Sequence, residues 1–148
     1  MLKEEIYRKC QELLNSRIEK YRNEIAMLKE SLENEDHHSE GGEDSSSDSS
    51  VDEHYTQTMR YLDEAINLKE QLKHVDIFQD PATVKLGSLV HTNRGIFFLS
   101  VPLGAVNADG KTIIAISREA PVSQLLIGKA KHDTINFNGN LYTVEAIE

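Results

Sequence analysis

The chain of 148 residues has no tryptophan, one cysteine, three prolines and eight glycines. A lone cysteine, Cys10, excludes an internal disulfide, and its place in an apolar helical pattern reads as a packed thiol rather than a reactive one. No run of about 18 apolar residues is present, which excludes a membrane-spanning helix. The opening MLKEEIYRKCQELL has no uncharged apolar segment, so a secretory leader is not expected and the cytoplasm is. A phosphate-cradling glycine loop, H-E-x-x-H and G-x-S-x-G are all missing. These hydrolase and transferase signatures are therefore not available to the chain.

Base is missing from one stretch in particular. Glu33 to His54 holds nine acidic residues and no Lys or Arg. The whole chain has 25 acids and 16 bases, a net charge of −9, so outside this window 25 − 9 = 16 acids face 16 bases. All of the net charge sits in one segment. That segment is also rich in Ser and Gly and poor in apolar side chains, which predicts a loop. Acidity so confined argues against coating nucleic acid and favours a metal ion or a basic partner surface.

Apolar patterns flank the window. Leu2, Ile6, Cys10, Leu14, Ile18, Tyr21, Ile25, Leu28 and Leu32 step by fours and then by alternating threes and fours. This narrow stripe predicts a helix over 2–32 with a coiled-coil seam, roughly 45 Å long at 1.5 Å per residue. A second helix is predicted from near Asp52 to Val75, on Tyr55, Met59, Leu62, Ile66, Leu68, Leu72 and Val75. Ser50 with Glu53 three residues on reads as its N-terminal cap. Two such helices joined by one loop predict an antiparallel hairpin over 1–75, with the acidic loop at about 33–54 as its tip.

Residues 76–83, with Pro81, read as a linker. Beyond it VKLGSLVHT, GIFFLSVPL, TIIAISRE, HDTINFN and NLYTVEAIE predict five short strands over 84–148, a mostly antiparallel sheet domain. NADG at 107–110 and NGN at 138–140 predict tight hairpin turns. A helical turn is expected over Val122–Leu126, after Pro121. The fold class is α+β. Among possible ligands, His37 and His38 beside Asp36 and Glu40 read as a solvated polar loop before a metal site, and His91 and His132 need no special role. Only the tip carboxylates are denser than chance, and hard cations such as Mg²⁺ often take one or two protein carboxylates with other ligands from elsewhere.

The run Ile116-Ser117-Arg118-Glu119-Ala120-Pro121-Val122-Ser123-Gln124-Leu125-Leu126-Ile127-Gly128-Lys129 resembles the pattern I-S-x-x-(S/A)-P-(I/V)-x-x-x-L-(I/L)-G-K of the Gre family of bacterial transcript-cleavage factors. Val84-Lys85-Leu86-Gly87-Ser88-Leu89-Val90 is similar to that family's entry into the same domain, and the order of hairpin then sheet matches along nearly the whole chain. The resemblance implies an FKBP-like C-terminal fold docked on RNA polymerase, with the hairpin entering the secondary channel. It implies Ala120, Pro121, Val122 and Gln124 as polymerase-docking residues. It also implies that tip acids reach the Mg²⁺ of the polymerase active site, with no cofactor bound by the chain alone and nucleic acid met only through the polymerase.

The family run G-D-x-x-E-N-A-E-Y is not kept; the comparable stretch is Ser50-Val51-Asp52-Glu53-His54-Tyr55. The metal-proximal acids expected here are Asp48, Asp52 and Glu53, with Asp44 and Glu43 behind them. Two outcomes stay open, stimulated transcript cleavage and inhibition, with the protein expected to be a monomer. A second reading is a non-catalytic coiled-coil adaptor with a solubilising acidic loop. A prolyl isomerase would be fold analogy alone, and five Tyr, four Phe and no Trp make a poor supply for an aromatic pocket.

Overall fold

The computed structural model describes residues 1–36 and 45–148, and for 34–36 and 45–49 the backbone alone. In chain order the elements are α1 (Leu2–Asp36), α2 (Ser45–Lys73), β1 (Leu89–Thr92), β2 (Gly95–Ser100), β3 (Gly104–Ala108), β4 (Lys111–Ser117), α3 (Pro121–Leu126), β5 (Thr134–Phe137) and β6 (Asn140–Ile147). The fold is α+β, long helices followed by a mostly antiparallel sheet. It divides into two compact units, Leu13–Lys69 and Met1–Glu12 with Glu70–Glu148. Among the described residues no helix is long and apolar enough to cross a membrane.

In Leu13–Lys69 the helices run antiparallel. The Tyr21 and Tyr61 rings lie 5.8 Å apart, and His54 Nε2 stands 3.4 Å from Glu24 Oε1. On α1 the predicted stripe is the buried one: Leu14 and Ile18 are buried, and Tyr21, Ile25, Leu28 and Leu32 are half-buried. On α2 the stripe differs from the expectation. Ile66 is 41% exposed, whereas Thr58 and Ala65 are buried. The seam runs through Val51, Tyr55, Thr58, Leu62, Ala65 and Leu72, a heptad pattern that uses small residues where large ones were sought. Thr58 tolerates burial because its hydroxyl donates to the His54 carbonyl at 2.8 Å, one turn back.

Both helices also enter the acidic window. Glu33–Asp36 belong to α1, and α2 begins at Ser45, so Ser50 lies inside α2 and is not its cap. Asp52 and Glu53 lie about two turns into α2, beyond the first turn where the helix dipole favours negative charge. His37, His38, Glu40, Glu43 and Asp44 lie outside the described residues.

In the other unit, Ile6 and Cys10 are buried on α1, and Tyr7 Oη donates to the Leu72 carbonyl at 3.0 Å. The sheet has six strands in the order β3-β4-β2-β1-β6-β5. Every neighbouring pair is antiparallel except β2 with β4, which is parallel. The two predicted turns are present. Asp109 and Gly110 (φ 51° and 75°) join β3 to β4, and Asn138 and Gly139 (φ 52° and 80°) join β5 to β6. Positive φ at both central residues is the type I′ geometry that matches strand twist.

The strand missed in the sequence is β3, GAVNA. Its small and polar residues carry little β signal; it is an edge strand held by pairing with β4. The core on the α3 side gathers Val84, Val90, Leu99, Val122, Leu126, Ile135 and Val144. Residues 76–83 also contribute to burial, through Ile77, beside Val75 and Val84. Gly87 (φ 96°) is fixed by crowding as well as by φ: a Cβ there would lie 2.1 Å from the Asp76 carbonyl oxygen.

Candidate functional site

The segment Ile116–Lys129 is built as the end of a strand, a turn and a short helix. β4 ends at Ser117, and Arg118-Glu119-Ala120 turn the chain, closed by Ala120 N–H donating to the Ser117 carbonyl at 3.2 Å. Pro121 opens α3 at the first helical position, where its missing N–H is not needed and its fixed φ suits the helix. Ala120 caps the helix with no side-chain hydrogen bond. Two side chains of the helix instead tie the preceding turn. Ser123 Oγ donates to the Ser117 carbonyl at 2.7 Å, and Gln124 Nε2 donates to the Arg118 carbonyl at 2.7 Å. Gly128 (φ 86°) ends the segment, its N–H on the Val84 carbonyl at 2.8 Å, and Val84 N–H returns the bond to Lys129 at 2.9 Å.

This construction sorts the expected docking residues. Pro121 and Gln124 are exposed and Ala120 is half-buried, whereas Val122 is buried in the core with Ser123 and Leu126. Val122 thus anchors the segment instead of being displayed by it. Arg118 and Glu119 are exposed on the turn, and Leu125 (40%) and Ile127 (36%) are exposed apolar side chains of the same segment. The sequence reading did not select Leu125 and Ile127. Their signal was there: α3 is too short to bury two successive faces, so with Val122 and Leu126 inward, Leu125 must point out.

The tip acids belong to the other unit. Asp52 and Glu53 are exposed on α2, in a shallow groove of about 360 Å³ with Thr56, Gln57 and Arg60. Asp48 is described in its backbone alone, within α2, and Asp44 and Glu43 fall outside the described residues. Consecutive helical residues point about 100° apart, so Asp52 and Glu53 do not share one face as two residues spaced by three or four would. Among the described residues no three His, Cys, Asp or Glu side chains converge as a metal site. The Asp52–Glu53 pair therefore does not by itself fit a resident metal.

Elsewhere in the sheet unit, His91 Nε2 and Glu148 Oε2 are 2.7 Å apart, both half-buried. They join β1 to the end of β6 and do structural work. His132 lies at a positive φ of 80° with its N–H on the Val144 carbonyl at 2.7 Å, a turn residue.

No family model matches the chain, and no curated protein matches it. The chain is similar to a solved structure described as "Structure of the transcription factor Gfh1", at 18% identity over 94% of this chain and 93% of that one, with a TM-score of 0.38. At that TM-score the likeness says nothing of function.

Proposed function

We propose that the protein is an RNA polymerase-binding factor of the Gre type. The observation that carries this reading is the segment Ile116–Lys129. Its sequence has the family pattern, and its backbone makes a turn and helix with Pro121, Gln124, Leu125 and Ile127 outward, Ala120 half-buried, and Val122, Ser123 and Leu126 inward. An element tied down by its own hydrogen bonds that exposes the apolar Leu125 and Ile127 suits protein docking. In this reading the FKBP-like domain docks near the secondary channel, and the acidic hairpin enters it. Asp52 and Glu53, exposed on α2, offer carboxylate oxygens to the Mg²⁺ that the polymerase itself holds. The chain supplies charge and position at the hairpin, and the polymerase remains the catalyst.

The altered spacing of the acids favours a modulating effect on the active site over a full cleavage activity. Stalled, backtracked elongation complexes given the purified protein and Mg²⁺ separate the cases through the RNA 3′ end. Shortened RNA that depends on Asp52 and Glu53 supports cleavage stimulation. Slowed extension with intact RNA supports inhibition. Neither effect, together with no binding to polymerase, sinks the proposal.

A second reading is a coiled-coil adaptor. It is favoured by exposed apolar side chains on the hairpin: Met27 at 70%, with Tyr61 and Ile66 at 41% each. A stable dimer in solution whose interface contains these residues supports it; a monomer does not.

A further inference from the structure

Lys3, in the first turn of α1, is 9% exposed. Among the described residues its ammonium forms no ion pair and no hydrogen bond. It is nonetheless reachable: the one described side-chain polar atom that is both unpartnered and fully occluded is Ser100 Oγ. Lysines are rarely this buried without a partner, because a charge taken from water is costly unless another group replaces the water. Glu148 and Asp76 act on Lys3 from a distance, and both are engaged elsewhere. His91 Nε2 holds Glu148 Oε2 at 2.7 Å, and Asp76 Oδ1 accepts from the Phe78 N–H at 2.9 Å. Burial pushes the Lys3 pKa below the usual lysine range, against the pull of both carboxylates.

Lys3 lines a cleft of about 320 Å³, at the small end of the roughly 300–1,000 Å³ typical of small-molecule sites. The cleft lies wholly within the unit made of Met1–Glu12 and Glu70–Glu148. Its wall is mostly apolar: Met1, Ile77, Phe78, Pro81 and Ile147 line it, and among the described residues Lys3 is its one basic side chain. Ile77 is buried, whereas Phe78 is 78% exposed, displayed by the turn that its N–H closes on Asp76. Met1 is largely exposed too, so apolar surface continues from the cleft into solvent, as it does at binding sites.

We propose that this cleft binds a small apolar monocarboxylate, a fatty or aryl acid. The ligand carboxylate takes the Lys3 ammonium and supplies the counter-ion that the fold does not. The hydrocarbon lies on Ile77, Phe78 and Ile147. An amine would face the Lys3 charge. A polyanion would face Glu4 and Glu148, which also line the cleft. A neutral apolar molecule would leave the ammonium unpaired. This site does not depend on the polymerase reading.

The test is a titration of the full chain to millimolar ligand, followed by amide NMR shifts. Octanoate and phenylpropionate are each compared with the alcohol and the amine of the same skeleton, and inorganic phosphate forms a separate arm. At least one acid is expected to give saturable shifts at Lys3, Ile77, Phe78 and Ile147, and to bind at least roughly tenfold tighter than its alcohol or its amine. Lys3→Met keeps an apolar side chain and removes the charge. It should weaken the acid at least roughly tenfold and leave the alcohol unchanged or tighter. Phe78→Ala, at an exposed position, should weaken acid and alcohol alike. Four outcomes each overturn the proposal: no saturable shift with either acid, an alcohol or amine that binds as tightly as its acid, shifts with phosphate alone, or acid binding unchanged by Lys3→Met. The comparison of acid with alcohol on the parent chain decides the proposal even where a variant fails to fold.

Discussion

Ser123 Oγ donates a 2.7 Å hydrogen bond to the Ser117 carbonyl, across the turn that carries Arg118 and Glu119. The two residues tie the end of β4 to the first turn of α3. Ser117's carbonyl also accepts from Ala120 N–H, so losing the hydroxyl does not strand it. Ser123→Ala is therefore expected to cost about 1 kcal/mol, near the net value of one hydrogen bond, measured by denaturant unfolding. If the segment is the docking element, the same change weakens partner binding more than it weakens the fold.

Gly87 joins a positive φ of 96° to a close approach on the Asp76 carbonyl. Gly87→Ala should destabilise by about 1–3 kcal/mol from the backbone conformation alone, and more from the 2.1 Å contact that must be relieved. A melting temperature within a degree of the parent chain would contradict this. Gly87 lies within the run Val84–Val90, but the reason a glycine is required there, the carbonyl of Asp76, is a tertiary contact that no local pattern carries.

The hairpin tests the seam assignment directly. Ala65→Leu adds volume to a position that is 4% exposed and should cost about 1–3 kcal/mol. Ile66→Ala, one residue on and 41% exposed, should change stability by no more than about 0.5 kcal/mol. Thermal unfolding followed by helical circular dichroism reads both. The opposite ranking would restore the stripe read from the large apolar residues.

That contrast marks how far the sequence reaches. The α1 stripe was legible because large apolar residues occupy its seam, and the Asp109-Gly110 and Asn138-Gly139 turns were legible because few residues accept positive φ. On α2 the seam uses Thr58 and Ala65, which are hard to tell from surface residues by hydropathy. Strand β3 was hidden for the same reason, since it is held by backbone pairing with β4. At the candidate site Pro121 and Gln124 are exposed and Val122 is packed inward, and the exposure of Leu125 and Ile127 was not legible because it depends on which way a short helix faces.

Cys10 links burial to pH. Burial pushes its thiol up to about 11 from 9.0. The folded state thus holds the proton more tightly than the unfolded state. The resulting stability is fully present below pH 9 and is lost as pH rises from 9 through 11. Comparing the parent chain with Cys10→Ala across this window isolates the contribution from Lys and Tyr titration. The parent's stability should fall more steeply than the variant's; parallel curves would contradict the account.

The most direct test of the central claim is the affinity of the full chain for core bacterial RNA polymerase, parent against a variant carrying Leu125→Ala and Gln124→Ala. Leu125 and Gln124 are both exposed, so the fold should survive. The account predicts saturable binding with a Kd of about 1 μM or tighter, weakened at least roughly tenfold in the variant. No saturable binding up to about 100 μM, or equal binding by both chains, would contradict it.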